Sequence, residues 1–247
     1  MAKKSHELIY GIHAVEAALR NQQENVLQVF VQQGRNDNRI KKLLSIAENS
    51  GIHVQAISNE KLKEKCPKAR HQGVVAELRL SDTNALSLDD ILDKEQLLLL
   101  VLDEVQDPNN IGACLRTAEA AGVDLVVICK DRSAGITPVV RRAASGAAET
   151  LSVIQATNLA RVLRTLKKRG IWLAGTSDTA NESLYATDLT GPLALVMGSE
   201  GSGLRHLTSE LCDYLISIPV AGQVESLNVS VATGVCLYEI NRQRKIG

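Results

Sequence analysis

Three short stretches carry residue types that could do chemistry together. The first is Leu102-Asp103-Glu104-Val105-Gln106-Asp107-Pro108-Asn109-Asn110-Ile111-Gly112, with Arg116 following one turn into the next pattern. The second is Met197-Gly198-Ser199-Glu200-Gly201-Ser202-Gly203. The third is Ser226-Leu227-Asn228-Val229-Ser230. Each follows an apolar run and precedes a helix-like pattern. Ser226 or Asn228 is a good N-cap type, because a short polar side chain satisfies free backbone N–H groups at a helix start. Those N–H groups and the helix dipole also favour negative charge. Three glycines in the second stretch allow a ligand close to the backbone. The carboxylate of Glu200 there argues against a phosphate cradle and suits a cation, a hydroxyl or a backbone N–H. The stretch is not G-x-G-x-x-G and follows a late strand, so a dinucleotide fingerprint is excluded. Arg116 falls about 140° from Ile111 around the helix and so faces away from the apolar side formed by Ile111, Cys114, Leu115 and Ala118.

The elements that must position these loops form a βαβ series from residue 96 onward. Apolar runs at 97–102, 125–129, 171–175, 193–197 and 215–218 read as strands, several apolar on both faces as buried parallel strands are. Helical patterns fall at 111–121, 138–147, 158–169, 204–211 and 228–244. The expectation is an α/β domain with a mostly parallel sheet, whose ligands sit at the C-terminal ends of its strands.

Residues 1–80 read as a smaller α/β unit. Helical patterns at 13–19, 36–50 and 62–65 alternate with strands at 26–31, 52–57 and 73–80. Two places there invite a functional reading: Gly11-Ile12-His13, and the basic loop from Lys65 to Gly73, which suits either phosphates or plain solvation. Residues 81–95 are polar and acidic and read as a linker. The expected organisation is therefore 1–80, a linker 81–95, and 96–247.

The chain of 247 residues has zero net charge, but unevenly. Residues 1–80 carry 13 Lys/Arg against 8 Asp/Glu, and the remainder 15 against 20. A basic module beside an acidic one suits a polyanionic partner. Aromatic residues are only 2%, so a broad base-stacking surface is not expected. Cysteines number five with no C-x-x-C spacing, which argues against a disulfide framework or a zinc site. The apolar run at 97–102 is far short of a membrane span, and residues 1–12 lack a secretory apolar region, so a cytoplasmic protein is expected. Ser226 has no G-x-S-x-G elbow, and His206 is the only histidine beyond residue 80, which disfavours a hydrolase.

The three stretches resemble the three motifs of the SpoU branch of the SPOUT methyltransferases. Motif one corresponds to Asp107–Gly112 with Arg116, motif two to Met197–Gly201, and motif three to Ile218-Pro219 with Ser226–Ser230. Tyr10–Val15 and His71-Gln72-Gly73 resemble the family's small N-terminal substrate-binding domain. The resemblance implies an L30e-like N-terminal domain and a C-terminal parallel-sheet domain with a deep trefoil knot. It implies methyl transfer from S-adenosylmethionine, without a metal, to a ribose 2′-hydroxyl of RNA. The pattern is nearest to the branch acting on a P-loop guanosine of 23S rRNA, free or in a large-subunit assembly intermediate. Transfer to tRNA or to a resistance-conferring RNA site is the alternative, or a non-catalytic assembly role. The resemblance further implies a homodimer, a donor site near Gly198, Ile218 and Leu227, and functional roles for Asn110, Arg116, Glu200, Ser226 and Asn228. The reaction is an in-line attack of the ribose oxygen on an activated methyl group. A guanidinium stays protonated at neutral pH, so Arg116 is expected to hold an RNA phosphate and stabilise the developing alkoxide rather than accept the proton.

Overall fold

A computed structural model describes residues 6–67, 71–79 and 96–246. The expected linker 81–95 and residues 68–70 of the basic loop lie outside them. The first elements are β1 (His6–Tyr10), α1 (Ile12–Asn21), β2 (Val26–Gln32), α2 (Asn38–Asn49), β3 (Val54–Ile57), α3 (Asn59–Lys65) and β4 (Val74–Arg79). Next come β5 (Leu98–Leu102), α4 (Pro108–Ala120), β6 (Leu125–Cys129), α5 (Pro138–Ala144), α6 (Ala147–Thr150), β7 (Val153–Ala156) and α7 (Leu159–Lys168). The chain continues through β8 (Trp172–Thr176), β9 (Glu182–Ser183), β10 (Leu193–Met197), α8 (His206–Leu211), β11 (Tyr214–Ser217) and α9 (Val229–Ile246).

The chain divides into two compact units. One holds residues 1–84 with 136–150, the other 85–135 with 151–247. The first is built on a four-stranded mixed sheet in the order β1-β4-β2-β3. Leu19, Ile40, Leu43, Val29 and Ala76 join α1 and α2 to one face, while Leu62 of α3 packs with Phe30 and Val75 on the other. The strand β1, which sequence reading treated only as a lead into α1, pairs antiparallel with β4. Asp37 caps α2 by accepting from the N–H groups of Arg39 and Ile40.

Residues 136–150, read by sequence as part of the 96–247 domain, group with this first unit. The single helix expected at 138–147 is broken. Ser145 and Gly146 take positive φ of 53° and 102°, which ends α5 and starts α6. Arg141 and Glu149, one from each short helix, meet at 3.0 Å, and Arg141 also reaches Glu7 of β1 at 3.4 Å.

The second unit is a seven-stranded sheet in the order β7-β6-β5-β10-β8-β11-β9, with every pairing parallel. Strands β5, β6 and β10 are buried at every position, which matches their unbroken apolar runs. The edge strands β7 and β9 were not expected; they are short and only partly buried, so neither shows an unbroken buried pattern. The late strand β10 lies between β5 and β8. Two of the three chemical stretches therefore leave neighbouring strands at the same end of the sheet. Among the described residues, no helix is long and apolar enough to cross a membrane.

Candidate active site

The first loop leaves β5 and turns into α4. Asp107 caps that helix, its carboxylate accepting from the Asn109 N–H at 2.8 Å, and Pro108 occupies the first turn where no N–H is missed. This rigid start places Asn110 on the buried side of α4. Arg116 lies exposed on the same helix and has no hydrogen-bond or ion-pair partner among the described residues.

The second loop leaves β10 and folds back on itself. Ser199 and Gly203 exchange two backbone hydrogen bonds of 3.1 and 3.0 Å, and the hydroxyls of Ser199 and Ser202 meet at 2.6 Å. Gly198 is required by this closure, because a Cβ there would lie 2.2 Å from the carbonyl carbon of Gly203. The loop presents Glu200 at its exposed tip.

The third loop leads into α9, and Asn228 rather than Ser226 serves as its cap. The Asn228 Oδ1 accepts from the Ser230 N–H at 3.0 Å and from the Ser230 hydroxyl at 2.6 Å. Its Nδ2 donates to Glu200 Oε1 at 2.6 Å and to Asn110 Oδ1 at 3.1 Å. One side-chain amide thus joins all three loops, across 118 residues of sequence in one direction and 28 in the other. Behind it, α9 packs on α4, where the Cys114 thiol and the Thr233 hydroxyl meet at 3.5 Å and Asn241 donates to the Ala121 carbonyl at 2.8 Å.

Loops two and three border a cavity of about 930 Å³. Gly198, Glu200, Ile218, Ser226, Leu227 and Asn228 all line it, whereas Asn110 and Arg116 do not. Sequence reading missed one wall: Thr176, Ser177, Asp178 and Thr179 at the end of β8 also face the cavity. The signal was present, since this is another polar run directly after an apolar strand. The volume lies in the usual ~300–1,000 Å³ range for small-molecule and cofactor sites. Among the described residues, the backbone of 218–227 takes part in no backbone hydrogen bond, so its N–H and C=O groups are available to a bound molecule. Exposed Val220, Val224 and Leu227 add apolar surface beside the Glu200 carboxylate. A nucleoside carrying a cationic amino-acid arm fits this mixture. Among the described residues there is no cluster of three or more side chains that could hold a metal. The thiols are poorly suited to act as nucleophiles: burial pushes Cys114 up to about 11, and Cys212 and Cys236 up to about 12.

Comparison with known proteins adds independent findings. Residues 97–238 match the model of the SpoU rRNA Methylase family, and residues 8–83 match that of RNA 2′-O ribose methyltransferase substrate binding. A 23S rRNA (guanosine-2′-O-)-methyltransferase RlmB from Haemophilus influenzae is 53% identical over 241 residues, covering 96% of this chain and 98% of that protein. Its counterpart from Ralstonia nicotianae is 51% identical, covering 97% of each chain. Among solved structures, the SpoU methyltransferase AviRb from Streptomyces viridochromogenes, in complex with the cofactor AdoMet, superposes with a TM-score of 0.83 at 26% identity. That match covers 98% of this chain and 92% of the other.

Proposed function

The chain belongs to the SpoU rRNA methylase family, and on that premise we propose that it methylates a guanosine of 23S rRNA on the ribose 2′-oxygen, using S-adenosylmethionine. The observation that carries this reading is the Asn228 amide, which ties Glu200 and Asn110 together at the rim of the 930 Å³ cavity. Near-full-length identity of about half to relatives bearing that activity supports the choice of rRNA over tRNA.

Gly198, Ile218 and Leu227 would hold the donor through backbone groups, in a cavity that residues 176–179 also line. When bound, the donor supplies a methyl group already activated on a sulfonium. The protein's own task is therefore alignment and charge stabilisation. Asn228 spends its Nδ2 hydrogens on Glu200 and Asn110, which fixes the Glu200 carboxylate at the cavity rim. Ser226, exposed on the same rim, can hydrogen-bond the ribose. Arg116 keeps its planar fork free for an RNA phosphate and for the developing alkoxide, with a phosphate or water taking the proton.

The reading includes a homodimer, a cytoplasmic enzyme, a trefoil knot formed by the chain through β10, β11 and α9, and an RNA-binding role for residues 1–80. Val231 and Tyr238, 53% and 58% exposed and two turns apart on α9, offer an apolar stripe to a second copy. A second copy would also bring an Arg116 to a cavity whose own chain does not supply one. The P loop is the proposed target, free or within an assembling large subunit.

The test is methyl transfer from labelled S-adenosylmethionine to total RNA from a strain lacking the gene. Label on a 2′-oxygen of a P-loop guanosine is the expected result. Label on tRNA overturns the target, and no label with intact donor binding overturns catalysis on free RNA.

A further inference from the structure

Loop 198–205 begins and ends on one residue. Asp103, directly after β5, donates its N–H to the carbonyl of Met197 at 2.8 Å, at the point where the loop departs. Where the loop returns, the Asp103 carboxylate accepts from the Arg205 backbone N–H at 3.1 Å and from Arg205 Nε at 2.7 Å, with a second guanidinium nitrogen at 2.6 Å. The Asp103 side chain is completely shielded from solvent. A buried carboxylate with these N–H groups converging on it is a strong, geometrically selective anchor. Glu104 reinforces it: its carboxylate lies 2.9 Å from Arg205 and 3.3 Å from Arg132, and its backbone is held at a positive φ of 56°. Between the two ends the Ser199–Gly203 pair closes the loop, and its tip carries Glu200 to the Asn228 amide.

We propose that Asp103 and Arg205 are positioning residues for methyl transfer: they latch loop 198–205 and so hold Glu200 and the cavity wall in register with Asn228. The proposal rests on reading the cavity as the donor site. Asp103 opens the first polar stretch but lies outside the three motifs, Arg205 lies outside all of them, and 102 positions separate the two residues.

Arg205 is the residue to change, because it is partly exposed and its loss leaves no cavity in the core. The measurements use the full chain with Arg205→Ala and Arg205→Lys. Amide hydrogen exchange at Ser199 and Gly203 reads the latch without any ligand. Calorimetry with S-adenosylmethionine reads donor affinity, and steady-state kinetics separate kcat from KM. In Arg205→Ala the two amides should exchange at least about tenfold faster, and the donor Kd and KM should rise about tenfold to a hundredfold. Arg205→Lys keeps the charge but loses the fork, and should recover only part of the donor affinity. A variant that merely populated unfolded protein would lose kcat with KM unchanged, and that pattern overturns the proposal. Unchanged exchange at both amides overturns the latch. Faster exchange with unchanged donor affinity overturns its part in methyl transfer. If the unmodified protein fails to bind the donor, the reading of the cavity falls, and the catalytic half of the proposal with it, while exchange still reports on the latch.

Discussion

Arg205 meets the carboxylates of Asp103 and Glu104, and Arg141 meets those of Glu7 and Glu149. With Arg132 also against Glu104, the first cluster sets two guanidiniums against two acids, the second sets one against two, and they are solvated differently. The Arg205 side chain is 42% exposed, so water supports it while its fork satisfies the buried Asp103. The Arg141 side chain is 7% exposed and Glu149 is completely covered. There the bonding is incomplete: Arg141 Nε and Glu149 Oε2 are buried without a hydrogen-bond partner. Two acids against one base, out of water, favour keeping a proton on one acid. Burial accordingly pushes Glu149 up to about 7 against the pull of Arg141, and pushes Glu7 upward as well. The contrast separates a cluster placed to aim a loop from one placed to join segments of a core. A buried ion pair of the second kind contributes little net stability but is costly to break on one side.

Arg141→Ala should have the largest effect on stability. It strands the buried Glu149 and the partly buried Glu7, for a loss of about 3–5 kcal/mol. Thermal unfolding measures it, and methyl transfer per folded molecule should change little. Asn228→Ala should show the reverse. It unties Glu200 from Asn110 and should slow methyl transfer about a hundredfold, while loss of the α9 cap costs only about 1 kcal/mol of stability. If both variants lose stability and activity in proportion, the separation of groups that aim a loop from groups that join a core fails.

The subtlest expectation concerns pH. The Glu149 carboxyl has a folded pKa raised from 4.5 to about 7, so between those values the folded protein binds more protons than the unfolded chain. Stability from this group is therefore present below about pH 4.5 and lost as pH rises toward 7. Glu149→Gln should flatten that part of the stability–pH curve. A variant whose curve between pH 5 and 7 is as steep as the parent's removes Glu149 as the cause.

The buried strands were legible because their function in the fold is their pattern. β5, β6 and β10 are covered on both faces, and only unbroken apolar sequence meets that demand. β7 and β9 were not, because an edge strand needs neither length nor alternation. The helix at 138–147 was read through its break, since a left-handed turn at Ser145 and Gly146 costs glycine nothing and leaves the apolar periodicity almost intact. Gly146 was the available clue.

From the sequence alone came the three polar loops and their strand-to-helix context, because capping, glycine tolerance and helical spacing act within a few residues. The resemblance to the family's motifs is what singled out Asn110, Arg116, Glu200, Ser226 and Asn228 within them. Tertiary structure alone decided that β10 enters between β5 and β8, that one amide of Asn228 reaches two other loops, and that Asp103 closes a loop 102 residues away. It also decided that residues 136–150 pack with the first unit. Strand order and long-range pairing follow from the burial of whole faces and from finding partners for buried polar groups. Neither leaves a periodic mark along the chain.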